Sequence, residues 1–144
     1  MVVDLDLSVH GPEVFKQFEQ ASKFVKVDPE YCRRIYSDMI GRGMAKGFIL
    51  IEDGNIHGGI GGLIGPDLHN GEKTAVETFW FVAPGFRGGL GAYELWRKFE
   101  EWAKEQGCKK VAMIHLSDSY PERLERIYKA RGYKLLELHY VKEL

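Results

Sequence analysis

The sequence predicts a mixed α/β or α+β domain, in which helices are inserted into a run of antiparallel-type strands. Three observations support this class: apolar alternation in several short segments, helical periodicity in others, and turn residues between them. The chain has 144 residues, the usual size of one domain, and carries no repeats or low-complexity linkers. We therefore expect a single domain over residues 1–144 with one functional site.

The N-terminal half contains signals for one strand, two helices and a two-stranded hairpin. VVDLDLSV alternates as a strand, and the dipeptide GP then opens a helix whose apolar side reaches Val25. Asp28 is a typical N-cap for a second helix, which carries Tyr31, Ile35 and Met39. The strand KGFILIED joins IHGGIGGLIG through a tight reversal at Gly54 and Asn55. The small residues of IHGGIGGLIG indicate a close approach of another backbone or a substrate.

The C-terminal half continues the alternation of strands and helices. TAVETFWFV is a strand stopped by Pro84, and a long helix follows from about Gly89 to Gln106. Its core-facing residues recur every three or four positions: Ala92, Leu95, Trp96, Phe99 and Trp102. KVAMIHL is a strand, YPERLERIYKARGY is a helix closed by Gly132, and KLLELHYVKEL forms one or two final strands.

Composition argues against several function classes. With 20 Lys+Arg against 21 Asp+Glu, the net charge of -1 provides no basic field for a nucleic-acid partner. No apolar run approaches the length of a membrane span, and the N-terminus lacks a signal-peptide pattern, so we expect a cytoplasmic protein without a membrane partner. Cys32 and Cys108 lie far apart with no ligand-spaced neighbours, which predicts neither a disulfide framework nor a metal site.

The start of the long helix lacks the usual capping residue. Ser, Thr, Asp or Asn normally accepts hydrogen bonds from the first backbone N–H groups, but Arg87, Gly88 and Gly89 stand here. Bare glycines leave these N–H groups accessible at the positive end of the helix dipole, where a phosphate can bind. The alternative is that Gly88, Gly89 and Gly91 only make a tight turn. Neither a P-loop nor a dinucleotide fingerprint fits the spacing.

Four motifs occur together from about Ala45 to the C-terminus: a strand ending Val-x-Pro, an Arg-Gly-Gly turn, a helix ending EEWAKEQG, and IYKARGYK. In combination they resemble the GNAT superfamily of N-acetyltransferases, in the compact form found in phage and prophage genomes. The resemblance implies the acyl-CoA N-acyltransferase fold: a twisted, mixed, mostly antiparallel sheet flanked by about four helices. It also implies that the fourth and fifth strands splay apart, with acetyl-coenzyme A as cosubstrate in the gap.

The resemblance further implies which residues bind the coenzyme. The pantetheine arm would pair with the strand end at Phe81 and Val82. The pyrophosphate would lie on one turn, formed by Arg87, Gly88, Gly89, Leu90, Gly91 and Ala92. The family's turn reads Arg or Gln, two of any residue, Gly, any residue, then Gly or Ala. Leu90 therefore stands where the central Gly belongs.

Tyr128, in IYKARGY, stands where the family often places a tyrosine that protonates the departing thiolate. The alternative for Tyr128 is a core aromatic. An Asn that the family often has one or two turns earlier is missing, and Pro121 occupies about its place.

An amine must be neutral to attack a thioester, so a base is needed, and Glu77 is the candidate. Alternation places it on the same strand face as Phe79 and Phe81, where partial burial would raise its pKa towards neutrality. The alternative is a carboxylate at the sheet edge that faces water. His115, on the next strand, is a weaker candidate.

Together these expectations predict acetyl transfer from acetyl-coenzyme A to a primary amine by direct attack, with backbone N–H groups stabilising the oxyanion. The acceptor, whether a small amine or a peptide or protein, is not specified by the sequence. A homodimer is common in the family, and the C-terminal strands could supply its interface. Two alternatives stay open: a catalytically degenerate GNAT-fold module that binds coenzyme A or a protein partner without turnover, and an enzyme for another phosphate-bearing ligand.

Overall fold

A computed structural model describes residues 1–22, 26–115 and 120–144. The chain forms two compact units, Met1–Ile114 and His115–Leu144. The described elements are, in chain order, β1 (Val2–Asp4), α1 (Gly11–Ala21), α2 (Pro29–Gly41), β2 (Ala45–Glu52), β3 (Asn55–Pro66), β4 (Lys73–Val82), a 3₁₀ turn (Pro84–Phe86), α3 (Leu90–Glu105), β5 (Lys110–Ala112) and α4 (Pro121–Ala130). None of the described helices is long and apolar enough to cross a membrane.

The five strands form one open sheet in the order β1-β2-β3-β4-β5. The first four strands pair antiparallel with their neighbours, whereas β5 runs parallel to β4. Parallel neighbours need a crossover connection, and α3 supplies it between β4 and β5. The prediction of a mixed, mostly antiparallel sheet together with about four helices is confirmed.

The core of the first unit lies on both faces of the sheet. One cluster joins α3 to the sheet and includes Ile60, Ala75, Leu95 and Phe99, as the periodicity of α3 predicts. The other cluster joins α1 and α2 to the opposite face, with these buried residues: Leu5, Val14, Phe15, Tyr36, Ala45, Ile49, Phe79 and Phe81. The strands are therefore covered on both sides, and a polar side chain within the sheet needs a partner or an opening.

Two details near the N-terminus differ from the prediction. The first strand ends at Asp4 because the Asp6 carboxylate accepts hydrogen bonds from the backbone N–H and the hydroxyl of Ser8, which turns the chain. In α2, whose predicted cap at Asp28 accepts from the Tyr31 N–H, the buried residue is Tyr36. Tyr31 and Ile35 are exposed. Val25 lies outside the described residues.

The β2–β3 hairpin turns one residue earlier than predicted. Glu52 pairs with Asn55, and the two residues between them, Asp53 and Gly54, both have positive φ, as a tight hairpin turn requires. The glycines of β3 explain the small-residue run. A Cβ at Gly62 would lie 2.3 Å from the Val76 carbonyl oxygen and within 2.7 Å of the Phe99 ring. The close approach is therefore made by this chain's own backbone and aromatic rings.

The prediction of final strands in KLLELHYVKEL is wrong. Residues 134–144 form no strand, and their apolar side chains are exposed, including Leu136 at 81% and Tyr140 at 93%. Alternation predicts a surface that fits a sheet, but a strand also requires a neighbouring strand to accept its backbone hydrogen bonds. The second unit consists of α4 and irregular chain in its described part.

Candidate active site

The predicted splay between β4 and β5 is present in the first unit. Their pairing covers only Thr74 to Val76 against Lys110 to Ala112. β4 continues to Val82, so within the described chain the stretch from Glu77 to Val82 pairs with β3 on one side only. An open strand edge offers backbone N–H and C=O groups to an extended ligand. This edge includes Phe81 and Val82, the residues predicted to pair with pantetheine.

Glu77 lies where the two strands separate. Its side chain is 4% exposed and accepts a hydrogen bond from the Ile114 backbone N–H at 3.1 Å (Oε2 to N). Burial raises the pKa of Glu77 to about 8, and the Ile114 hydrogen bond opposes that rise. The predicted burial is confirmed, and the alternative of a water-facing carboxylate is excluded. The carboxyl is thus poised to exchange a proton near neutral pH.

A β-bulge at Thr78 corrects the argument that led to Glu77. Glu77 pairs with Gly62 and Phe79 with Gly61, so Thr78 is an extra residue in β4. The pleat places Glu77 on the α3 side with Ala75, whereas Phe79 and Phe81 pack on the α1 and α2 side. Glu77 therefore does not share a face with these two aromatic residues. Thr78 is exposed although both neighbours are buried.

The first turn of α3 has no side-chain cap, as predicted. Gly89 is the N-cap, and the backbone N–H groups of Leu90, Gly91 and Ala92 make no hydrogen bond within the described chain. These donors follow directly after the open edge of β4 and the 3₁₀ turn. They can therefore bind an anion beside a chain that extends along β4.

The glycines of this turn also have local structural reasons. Gly88 has a φ of 75°, and a Cβ on Gly91 would lie 2.8 Å from the Leu50 methyl groups. Arg87 Nε donates to the Val82 carbonyl at 2.9 Å, which ties the turn to the end of β4. Leu90, at the position of the family's central Gly, is 88% exposed, so its side chain is not part of the core. The geometry is compatible with both a tight turn and an anion site, since the turn leaves the backbone N–H groups of residues 90–92 available to a ligand.

Tyr128 belongs to the second unit. It is 8% exposed on α4, with the His115 ring edge-on at 6.0 Å and the Tyr133 ring at 5.6 Å between centroids. His115 Nδ1 is buried and has no hydrogen-bond partner among the described residues. The two predicted candidates, Tyr128 and His115, therefore lie together, and Tyr128 remains compatible with either a catalytic or a core role.

The two cysteines do not resemble nucleophiles. Burial raises the pKa of both the Cys32 and the Cys108 thiol, although Lys73 partly opposes this at Cys108. A raised pKa lowers the fraction of reactive thiolate. In the part of the chain that the structure describes, no group of three metal-binding side chains occurs.

Three contributors to this site were missed by the sequence analysis: the Thr78 bulge, the Tyr36 hydroxyl and the Ile114 N–H. Tyr36 on α2 makes a hydrogen bond with the Thr78 hydroxyl, which donates to the Gly61 carbonyl at 3.2 Å. The spacing of Cys32, Tyr36 and Met39 on α2 could have indicated the buried face. No local pattern marks the bulge.

Comparisons with known structures agree on the class of fold. A Pyrococcus furiosus protein thought to be an acetyl transferase is 28% identical, with a TM-score of 0.76, covering 100% of this chain and 99% of that chain. Glucosamine-6-phosphate N-acetyltransferase from Arabidopsis thaliana is 18% identical, with a TM-score of 0.76 and coverage of 99% and 97%. A predicted acetyltransferase from Clostridium acetobutylicum, solved with acetyl-CoA, is 15% identical, with a TM-score of 0.74 and coverage of 96% and 95%.

The fold and the open edge of β4 define an acyl-CoA N-acyltransferase architecture. The profile of the Acetyltransferase (GNAT) family matches residues 14–133, and the chain belongs to that family. No curated protein matches the chain significantly.

Proposed function

We propose that this protein transfers the acetyl group of acetyl-coenzyme A directly to a primary amine. The observation that carries the proposal is the uncapped start of α3 directly after the open edge of β4. The pyrophosphate would accept hydrogen bonds from the N–H groups at residues 90–92, and the pantetheine would pair with β4 at Phe81 and Val82. The Val82 carbonyl keeps one lone pair for the coenzyme beside its bond to Arg87.

The chemistry needs a base, an acid and an oxyanion site. Glu77 would take the proton of the attacking ammonium or amine, directly or through water, because its raised pKa matches that task. Tyr128 would protonate the departing thiolate, and backbone N–H groups of β4 would stabilise the tetrahedral oxyanion. The raised pKa of both cysteine thiols supports direct attack rather than an acyl-cysteine intermediate. A structural neighbour named as an N-acetyltransferase supports an amine as the acceptor class.

Replacing Arg87 by Ala tests the coenzyme site. We expect calorimetric titration with acetyl-coenzyme A to show affinity about tenfold or more below that of the unmodified protein, because one charge-assisted hydrogen bond to phosphate is lost. Arg97→Ala is the matched control, since it removes the same charge from α3, where Arg97 pairs with Glu101. Absence of binding by the unmodified protein, or equal losses in both variants, would contradict the assignment of the turn.

Replacing Tyr128 by Phe separates the acid role from a core role. Loss of the hydroxyl should lower kcat about 100-fold with any accepted amine while the affinity for acetyl-coenzyme A changes less than about twofold. Tyr133→Phe, which removes a hydroxyl from the ring next to Tyr128, should retain turnover. Unchanged kcat in Tyr128→Phe would make Tyr128 a packing residue only. Coenzyme binding by the unmodified protein without turnover on an amino sugar, a polyamine or a peptide would favour the non-catalytic module.

A further inference from the structure

A short chain of hydrogen bonds crosses the first unit at the bulge in β4. The Thr78 hydroxyl donates to the Gly61 carbonyl at 3.2 Å, which uses its only proton. The Tyr36 hydroxyl must therefore donate to Thr78 Oγ1. This series of hydrogen bonds runs from Tyr36 on α2 through Thr78, the extra residue of β4, to Gly61 on β3. Its direction is fixed because a backbone carbonyl can only accept.

Burial of Tyr36 keeps these hydrogen bonds in one arrangement. Tyr36 is 7% exposed, and burial followed by the charge of Glu77 raises its pKa, so the phenol stays a neutral donor at all relevant pH. A buried phenol needs a hydrogen-bond partner, and the Thr78 hydroxyl supplies it. Phe15 and Phe79 pack against the Tyr36 ring, at 5.5 Å and 5.4 Å between centroids. The hydroxyl is thus held at the position of the bulge.

The position of the bulge decides where Glu77 lies. A shift of the extra residue by one place would move a side chain from one face of the sheet to the other. With Thr78 as the extra residue, Glu77 keeps its regular pair with Gly62 and reaches the Ile114 N–H, while Phe79 pairs with Gly61. Selecting Thr78 as the bulge residue therefore fixes the carboxyl at the point where β4 and β5 part.

We propose that Tyr36 and Thr78 are positioning residues for Glu77, because their hydrogen-bond chain to Gly61 fixes the bulge that holds the carboxyl in place. The inference rests on the proposed role of Glu77 as the base. Neither residue takes or gives a proton in the reaction.

The test uses the complete chain and the variants Thr78→Val, Thr78→Ser and Tyr36→Phe. Thr78→Val keeps the branched shape without the hydroxyl, and Thr78→Ser keeps the hydroxyl. Thr74→Val is the matched control, since Thr74 lies on the same strand at a regular pair and its hydroxyl donates to the Glu72 carbonyl. The Glu77 carboxyl is titrated by carbon-13 NMR in protein labelled at glutamate, with Glu77→Gln providing the assignment. Turnover is followed in parallel.

In Thr78→Val we expect the titration midpoint of Glu77 to fall by about one pH unit, because a loosened bulge admits water to the carboxyl. Its kcat should fall about tenfold or more with an unchanged affinity for acetyl-coenzyme A. Tyr36→Phe should shift the midpoint in the same direction, whereas Thr78→Ser and Thr74→Val should match the unmodified protein. A midpoint that stays in place in both Thr78→Val and Tyr36→Phe overturns the proposal. The titration requires no turnover, so it tests the positioning of Glu77 independently of the reaction. If Glu77 is not the base, Glu77→Gln will keep full activity, whatever the titration shows.

Discussion

Replacement of Glu77 by Gln should lower kcat/KM about 100-fold to 1000-fold, the usual contribution of a general base. Gln keeps the size of the side chain and can still accept from the Ile114 N–H, so the sheet should keep its pairing. As the proposed base, Glu77 is active in the unmodified protein only when its carboxyl is ionised. Because the pKa of Glu77 is raised to about 8, kcat/KM should rise with pH and level off above that value. The Glu77→Gln variant should lack the rise of kcat/KM that is due to the ionisation of Glu77.

The measurement is the pH profile of coenzyme A release with one accepted primary amine, so that the amine's own titration is common to both proteins. Glu72→Gln is the matched control: Glu72 is half-exposed, pairs with Lys110 and lies just before the same strand. It should retain both the rate and the profile. A Glu77→Gln protein that keeps the same rise with pH would mean that Glu77 is not the base.

Elements determined by local chemistry were predicted well from the sequence. The cap at Asp28, the uncapped start of α3 and, to within one residue, the reversal after β2 depend on residues within a few positions of each other. The burial of Glu77 was also predicted, although its strand face was wrong. Apolar neighbours along β4 are sufficient to indicate a buried carboxyl.

The errors arise where distant segments decide the outcome. The bulge at Thr78 depends on β3, where glycines accept the rings of Phe79 and Phe99, and on α2, which brings Tyr36 to the strand. A period-two pattern cannot show where an extra residue is inserted. The C-terminal segment, residues 134–144, has the pattern of a strand but no partner strand in the described structure. Its pattern alone therefore predicted a strand that does not form. The part of the site that needs pairing across the sheet was therefore invisible in the sequence.

The same Glu77→Gln variant should be more stable than the unmodified protein at alkaline pH. Since the pKa of Glu77 is raised from 4.5 to about 8 on folding, the folded state binds more protons between these values. The contribution of Glu77 to stability is full below pH 4.5 and is lost as pH rises through about 8. The complete loss corresponds to on the order of 5 kcal/mol, at about 1.4 kcal/mol for each pH unit between 4.5 and about 8. Gln does not titrate, so the Glu77→Gln variant should not show this loss of stability.

Urea unfolding of both proteins between pH 5 and pH 9 measures this effect, because other titrating groups cancel in the difference. The difference in unfolding free energy should grow with pH in favour of Glu77→Gln and stop growing near pH 8, the pKa of Glu77. Glu72→Gln should show no such growth, and a constant difference for Glu77→Gln would mean that the carboxyl is not held in a dry site. Within the described chain, Glu77 has no cation beside it to offset the cost of its charge. A carboxyl kept at such a cost, where two strands part, supports the proposed role of Glu77 in proton transfer.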